Sequence, residues 1–173
     1  ETNEWNADLV VWEKPNPLGV YTIGADSAFA GGADSDAYAA QVIRCYADRA
    51  DQIGEFRNPY ITTSQFAWVL AHLGGAYSGR FNICHMNIET NGPGNAVFEE
   101  MDKLESGASI IPDMLLSEER SLMNIIPSIA YYIGRNPTKL NVRQFAIGWT
   151  ASNEHRSWIF NVLRSVFQNN LLN

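Results

Sequence analysis

The sequence predicts an α/β domain, a mixed β-sheet flanked by helices. Three observations lead there. Strand-like apolar runs open the chain at residues 19–25, 37–47 and 51–57. Two segments with apolar residues at helical spacing follow, on either side of another strand-like run at 81–89. Strand material and a last helical pattern complete the order. A strand meander followed by a strand reached through a helix implies a sheet with both antiparallel and parallel pairs and helices on its faces.

Residues 1–10 read as a polar, frayed lead-in that passes into a short apolar piece at 9–12. Pro15 and Pro17 break the chain before the first clear strand, 19–25. The small residues and glycines of 27–36 form a turn. The second strand, 37–47, places Tyr38, Ala40, Val42 and Arg44 on one face, and the weaker third, 51–57, carries Ile53 and Phe56; the two read as a hairpin. Thr62 and Gln65 have capping-box spacing, and Phe66, Val69, Leu70 and Leu73 form one stripe of an amphipathic helix that Gly74, Gly75 and Gly79 end. After the strand at 81–89, Pro93 suits the first turn of a helix whose apolar side is Ala96, Val97, Met101 and Leu104. Residues 106–128 are less regular, with a short helix at 117–124. Strands at 129–133 and 142–149 flank a turn, Gly134-Arg135-Asn136-Pro137. Asn153 opens the last helix, with Trp158, Ile159, Val162, Leu163, Val166 and Phe167 as its stripe. The Trp and Tyr residues at helical or strand spacing read as core. Nothing marks an internal repeat or a linker, so 1–173 reads as a single domain.

At 173 residues, with 46% hydrophobic and 18% charged residues, the chain has a globular composition and enough length for a sizeable core. No apolar run reaches the roughly 20 residues needed to span a bilayer, and no signal-peptide pattern opens the chain, so no membrane association is expected. The chain opens on Glu1 rather than Met, which suggests processing or excision from a longer protein. Cys45 and Cys84 both lie in predicted strands and read as buried free thiols of a cytosolic protein. His72, His85 and His155 are scattered among a helix, a strand and a helix start, and no Cys/His spacing suggests zinc. The net charge of −7 disfavours a general nucleic-acid binder. It leaves a nuclease open, because carboxylates that hold metal are negative and bound cations reverse the local sign.

Two acids stand at the ends of apolar runs: Asp26 after Val20-Tyr21-Thr22-Ile23-Gly24-Ala25, and Glu89 after Met86-Asn87-Ile88. A carboxylate just past a buried strand sits at the rim of a sheet on a rigid support. Two converging there can hold hard divalent cations, which prefer oxygen ligands, and two ions can activate water and stabilise the leaving oxygen in phosphodiester hydrolysis. Asp26 is the residue best placed to bridge two ions. Glu89 would ligate one of them and orient water. The Gly92-Pro93-Gly94 turn would start a helix beside Glu89, with free amides for a phosphate or the carboxylate. The ordinary alternatives are a turn cap for Asp26 and a helix-entry charge for Glu89.

Several segments resemble the nuclease domain of phage terminase large subunits. Trp12-Glu13-Lys14-Pro15 through Tyr21-Thr22-Ile23-Gly24-Ala25-Asp26, then Gly31-Gly32 and Asp36-Ala37-Tyr38-Ala39-Ala40, are similar to its start. Asn87-Ile88-Glu89-Thr90-Asn91-Gly92-Pro93-Gly94-Asn95-Ala96-Val97 is similar to its second acidic motif and is the most specific part of the match. Gly148-Trp149-Thr150 and the helix after it resemble its later region, so the match runs in patches over residues 10–168. The resemblance implies a ribonuclease H-like fold and an endonuclease that cuts concatemeric double-stranded DNA during genome packaging. It implies two divalent ions, Mg or Mn, held by three acids, of which Asp26 and Glu89 match the first two. The third lies in a short acidic motif after the last helix, and no such motif precedes Asn173. The chain is then a fragment, or its site is incomplete, or another acid substitutes. Asp34 and Asp36 follow a turn, where capping or solvation is their usual role; Asp36 is the possible accessory ligand. The resemblance also implies, as partners, the terminase ATPase domain, the small terminase subunit and the portal, and, as location, the host-cell cytoplasm. The phosphate loop of the ATPase motor, Gly-x-x-x-x-Gly-Lys-[Ser/Thr], does not occur in the sequence. Lys139, Arg143 and Arg156 are candidate DNA contacts, with a solvated face as the plainer reading.

Two other function classes compete. A ribonuclease H-like binding or assembly module would keep the fold without cleavage. A sugar-kinase or actin-like ATPase also begins with a strand, an acid and a Gly-rich hairpin, but its second phosphate motif and second domain have no counterpart here.

Overall fold

The structure, a computed structural model, describes residues 8–28, 36–79, 82–106, 129–131, 133–135, 145–147, 153–169 and 171. Most of the strand runs read from the sequence join one mixed sheet. Its strands are β1 (Leu9–Val11), β2 (Val20–Asp26), β3 (Tyr38–Cys45), β4 (Ala50–Asn58), β5 (Cys84–Ile88) and β6 (Ile129–Tyr131). Their spatial order is β1-β4-β3-β2-β5-β6. The pairs β2–β3, β3–β4 and β1–β4 are antiparallel, while β2–β5 and β5–β6 are parallel. Leu9 and Val10 thus belong to an edge strand rather than to the frayed lead-in. A bulge between Val42 and Ile43 lets β4 insert Ile53 without a partner.

Strand alternation sorts the two faces. Tyr21, Ile23 and Ala25 of β2, Tyr38, Ala40 and Val42 of β3, and Cys84, Met86 and Ile88 of β5 are buried. They pack with Phe66, Leu70 and Leu73 of α1 (Thr63–Ala76) and Val97, Met101 and Leu104 of α2 (Gly94–Ser106). The opposite face of β2 and β5 carries Thr22, Gly24 and Asp26 beside His85 and Asn87, all exposed or half-buried. Arg44 follows the bulge, leaves the core row and pairs with Glu13. A small hairpin, β7 (Ile133–Arg135) with β8 (Phe145–Ile147), and α3 (Asn153–Gln168) complete the described elements.

Thr62 caps α1 with the expected box: the Gln65 amide donates to Thr62 Oγ1 at 3.2 Å, and the Thr62 amide donates to Gln65 Oε1 at 2.8 Å. The helix does not stop at Gly74 and Gly75 but runs to Ala76. Packing overrides the glycine penalty of about 1 kcal/mol per residue. Gly74 is buried, and the next turn is anchored by Tyr77, whose ring meets Tyr21 edge-on at 5.0 Å and whose hydroxyl donates to the Glu13 carbonyl at 3.0 Å. Ala67 and Ala71, not Val69, complete the buried side, because α1 sits close enough to the sheet for small residues to face it.

Three further expectations change. The strand at 129–133 is two strands: Ile129–Tyr131 joins the main sheet, and Ile133–Arg135 joins β8, so Gly134 and Arg135 are strand residues rather than turn residues. Of the α3 stripe, Ile159 and Val166 are half-buried, while Trp158, Val162, Leu163 and Phe167 are exposed. Tyr21, Tyr38 and Tyr77 are core, as read, but Trp12, Tyr60 and Trp158 are exposed. The short helix at 117–124 lies outside the described residues. Cys45 and Cys84 are free thiols on opposite sides of β2, roughly 10 Å apart across two strand spacings, too far to bridge. Burial pushes Cys84 up to about 12, while Cys45 is half-buried rather than buried.

Phe66 is fully buried between Tyr38, at a centroid distance of 4.9 Å, and Phe56, at 6.0 Å. Phe66→Ala should cost about 3–5 kcal/mol, read as a lower urea midpoint at unchanged slope.

Candidate metal centre

The site follows from the parallel pairing of β2 and β5. Ala25 stands opposite Ile88, and the Glu89 amide donates to the Ala25 carbonyl at 2.8 Å. Asp26 and Glu89 are the next residues on neighbouring strands, at the same sheet edge. Alternation turns both away from the face that α1 and α2 cover. Their carboxyl groups come within hydrogen-bonding reach of each other.

Both carboxyl pKas are raised. For Asp26 the first cause is loss of hydration among its neighbours, although its edge stays exposed, and the second is the charge of Asp36. For Glu89 the first cause is again burial, followed by the charge of Asp26. Arg156, on the first turns of α3, lowers both, so its guanidinium lies within electrostatic reach of the pair. The Ser27 amide donates to the Asp26 carboxylate.

Glu89 is held from its C-terminal side as well. Asn91 Nδ2 donates to Glu89 Oε1 at 3.0 Å. Gly92 takes φ 62°, in the left-handed region where a side chain is disfavoured. A Cβ on Gly94 would stand 1.9 Å from the Glu89 carbonyl oxygen, so only glycine lets the first turn of α2 approach so closely. That turn has no acidic residue of its own, which leaves its positive dipole end to Glu89. Asn87, two residues before Glu89 on the same face, has a buried Oδ1 with no hydrogen-bond partner. It lies beside Gly24, where a Cβ would meet nothing within 4 Å.

Of the residues singled out from sequence, Asp26 and Glu89 meet, Arg156 acts on both through charge, and Asp36 acts on Asp26. Asp36 is exposed. Lys139, Arg143 and Asp34 lie outside the described residues. Asn91 and Asn87 were not singled out for this role; the sequence signal for both was their place within two residues of Glu89.

Among the described residues no group of three His, Cys, Asp or Glu side chains could hold a metal ion. The donor set is therefore two adjacent carboxylates with an unpaired amide oxygen nearby. This fits magnesium-like ions, which keep several waters and take only one or two protein carboxylates plus substrate oxygens.

No protein-family model matches the chain, and no curated protein matches its sequence. Solved structures do match. The terminase nuclease domain of human cytomegalovirus, manganese-soaked with inhibitor bound, superposes with a TM-score of 0.55 at 10% identity, over 89% of this chain and 63% of that one. The fold is that of a terminase nuclease domain. The large terminase nuclease of thermophilic phage G20c with bound magnesium also matches, at TM-score 0.44 and 16% identity, over 82% of this chain and 78% of that one. The nuclease domain of Thermus phage P74-26 matches at TM-score 0.41 and 16% identity, over 83% of this chain and 77% of that one. The terminase-nuclease fold is the ribonuclease H-like mixed sheet that the resemblance implied. The chain spans about 63% of the cytomegalovirus domain.

The raised carboxyl pKas carry a stability consequence. An acid whose folded pKa exceeds its unfolded value binds its proton more tightly in the folded state, so stability falls as pH rises through that window. At pH 7 the ionised pair destabilises the metal-free protein. Asp26→Asn should raise its melting temperature at pH 7 by about 1–2 °C, a small effect because Asp26 is partly exposed, and the gain should vanish near pH 4 and below. Differential scanning fluorimetry across pH checks this.

Proposed function

We propose that the protein is a divalent-metal-dependent DNA endonuclease of the terminase large-subunit type, which cuts concatemeric double-stranded DNA during genome packaging. The observation that carries the reading is the juxtaposition of Asp26 and Glu89 at the ends of parallel neighbouring strands. The shared fold supports it, as does manganese in the cytomegalovirus crystal. The full assembly would add the terminase ATPase domain, the small subunit and the portal. The work would take place in the cytoplasm of a host cell. No described helix is long and apolar enough to cross a membrane.

Asp26 and Glu89 would hold Mg²⁺ or Mn²⁺, with Asp26 shared between two ions, while Asp36 forms no three-acid group with them and would act through its charge on Asp26. When bound, such ions lower the pKa of water and stabilise the developing charge on the leaving oxygen. The chain's own residues prepare for this. Asp26 and Glu89 stand on strands that cannot separate without breaking the sheet. Their repulsion is relieved by added positive charge. Arg156, whose charge reaches both carboxyl groups, would meet a DNA phosphate. The open α2 N-terminus adds a second positive field at the same edge. Lys139 and Arg143 remain proposed DNA contacts, and the chain is proposed to be one nuclease-like unit.

A second reading, a ribonuclease H-like binding module without cleavage, is favoured by one observation: the described residues offer no third acid to the pair.

Supercoiled plasmid separates the two. Nicking that depends on manganese, and that drops at least about 100-fold in Asp26→Ala, is the expected result, since disturbing even outer-shell partners of a metal typically costs 10–100-fold. Intact plasmid at high protein and manganese concentrations would favour the binding module.

Proton competition sets a further expectation. Because both carboxyl pKas are raised, manganese affinity should weaken on acidification at a higher pH than ordinary carboxylates would show, as read by titration calorimetry at stepwise pH.

A further inference from the structure

We propose that Asn91 is a positioning residue for Glu89: its side-chain amide fixes one carboxylate oxygen, so that the remaining lone pairs face Asp26 and a shared divalent cation. The inference rests on the metal-site reading above and names the residue that orients its second ligand.

A glutamate has three rotatable side-chain bonds, and Glu89 is the last residue of this edge to bond to β2. Its backbone is fixed at three points. The amide donates to Ala25 at 2.8 Å, the carbonyl accepts from Ser27 Oγ at 3.5 Å, and that carbonyl packs against Gly94 so closely that no Cβ could intervene. These contacts place the backbone but do not set the side-chain torsions of Glu89. Asn91 Nδ2, at 3.0 Å from Oε1, restrains the carboxylate. The geometry depends on a tight turn: Asn91 reaches back two residues to Glu89, and Gly92 follows at φ 62°, reversing the chain into α2.

The choice of side chain is chemically apt. An amide NH₂ donates without carrying charge, so it orients the carboxylate and leaves its negative charge for a cation. A Lys or Arg in its place would neutralise Glu89 and compete with the ion. Metal-ligating carboxylates commonly have such outer partners, and losing one typically weakens metal binding 10–100-fold.

The test measures Mn²⁺ binding directly, by water-proton relaxivity, in wild type, Asn91→Ala, Asn91→Gln, Glu89→Gln and the double variant Asn91→Ala/Glu89→Gln. Asn91→Ala should bind Mn²⁺ about 10-fold more weakly than wild type, with the melting temperature of the metal-free protein unchanged. Asn91→Gln, which keeps the donor, should recover part of the loss. In the Glu89→Gln background, Asn91→Ala should have no further effect on residual binding, because Asn91 acts through Glu89. Equal binding by wild type and Asn91→Ala, or an Asn91→Ala loss that persists in the Glu89→Gln background, would overturn the inference and leave the metal site standing. Wild type without Mn²⁺ binding at millimolar metal would overturn the site and the inference together.

Discussion

Everything at the candidate site depends on the parallel pairing of β2 with β5. Antiparallel pairing with β3 comes cheaply, through a short connection in sequence. Bringing β5 alongside β2 instead requires the chain to cross the sheet through α1, and it does so with a register that aligns Ala25 with Ile88. A slip by one residue would move Asp26 or Glu89 to the buried face. The register is held by the burial of Ile23, Ala25, Met86 and Ile88 under α1 and α2, so the packing that stabilises the fold also fixes the two acids side by side.

That arrangement carries an electrostatic cost, and the structure sets partial compensation around it. Burial raises the proton affinity of both carboxyl groups, the charge of Asp26 raises that of Glu89 further, and the charge of Asp36 raises that of Asp26. Against this stand Arg156, the Ser27 amide and the N-terminal end of α2, which has no acid in its first turn. The result is a site short of positive charge in a chain of net charge −7. Under the proposed function, a divalent cation would supply what is missing, and with it the local sign that would let an acidic protein approach a phosphate backbone.

Much of the fold was legible because its signals are local. The alternation of Tyr21, Ile23 and Ala25 and the capping spacing of Thr62 and Gln65 act within a few residues, and both appear in the structure. Features set by tertiary contact were not legible. Gly74 and Gly75 read as a helix stop but continue α1, because Tyr77 anchors the following turn against Tyr21 and Glu13. The stripe on α3 read as a core face, yet Trp158 and Phe167 are exposed. At the site, Asp26 and Glu89 stood out because each ends an apolar run. Arg156 was singled out only as one of three late basic residues; its place beside the acids depends on where α3 begins in space. Asn91 stands in the sequence only as part of the motif around Glu89, and its bond to Glu89 exists only once the turn before α2 is folded.

The central claim is that Asp26 and Glu89 form one cation site. Anomalous diffraction from a manganese-soaked crystal, grown with this sheet edge open to solvent, tests it most directly. The account predicts a manganese peak between the two side chains, with oxygens of both at about 2.1 Å. Well-ordered carboxylates at that edge with no anomalous signal between them would contradict it.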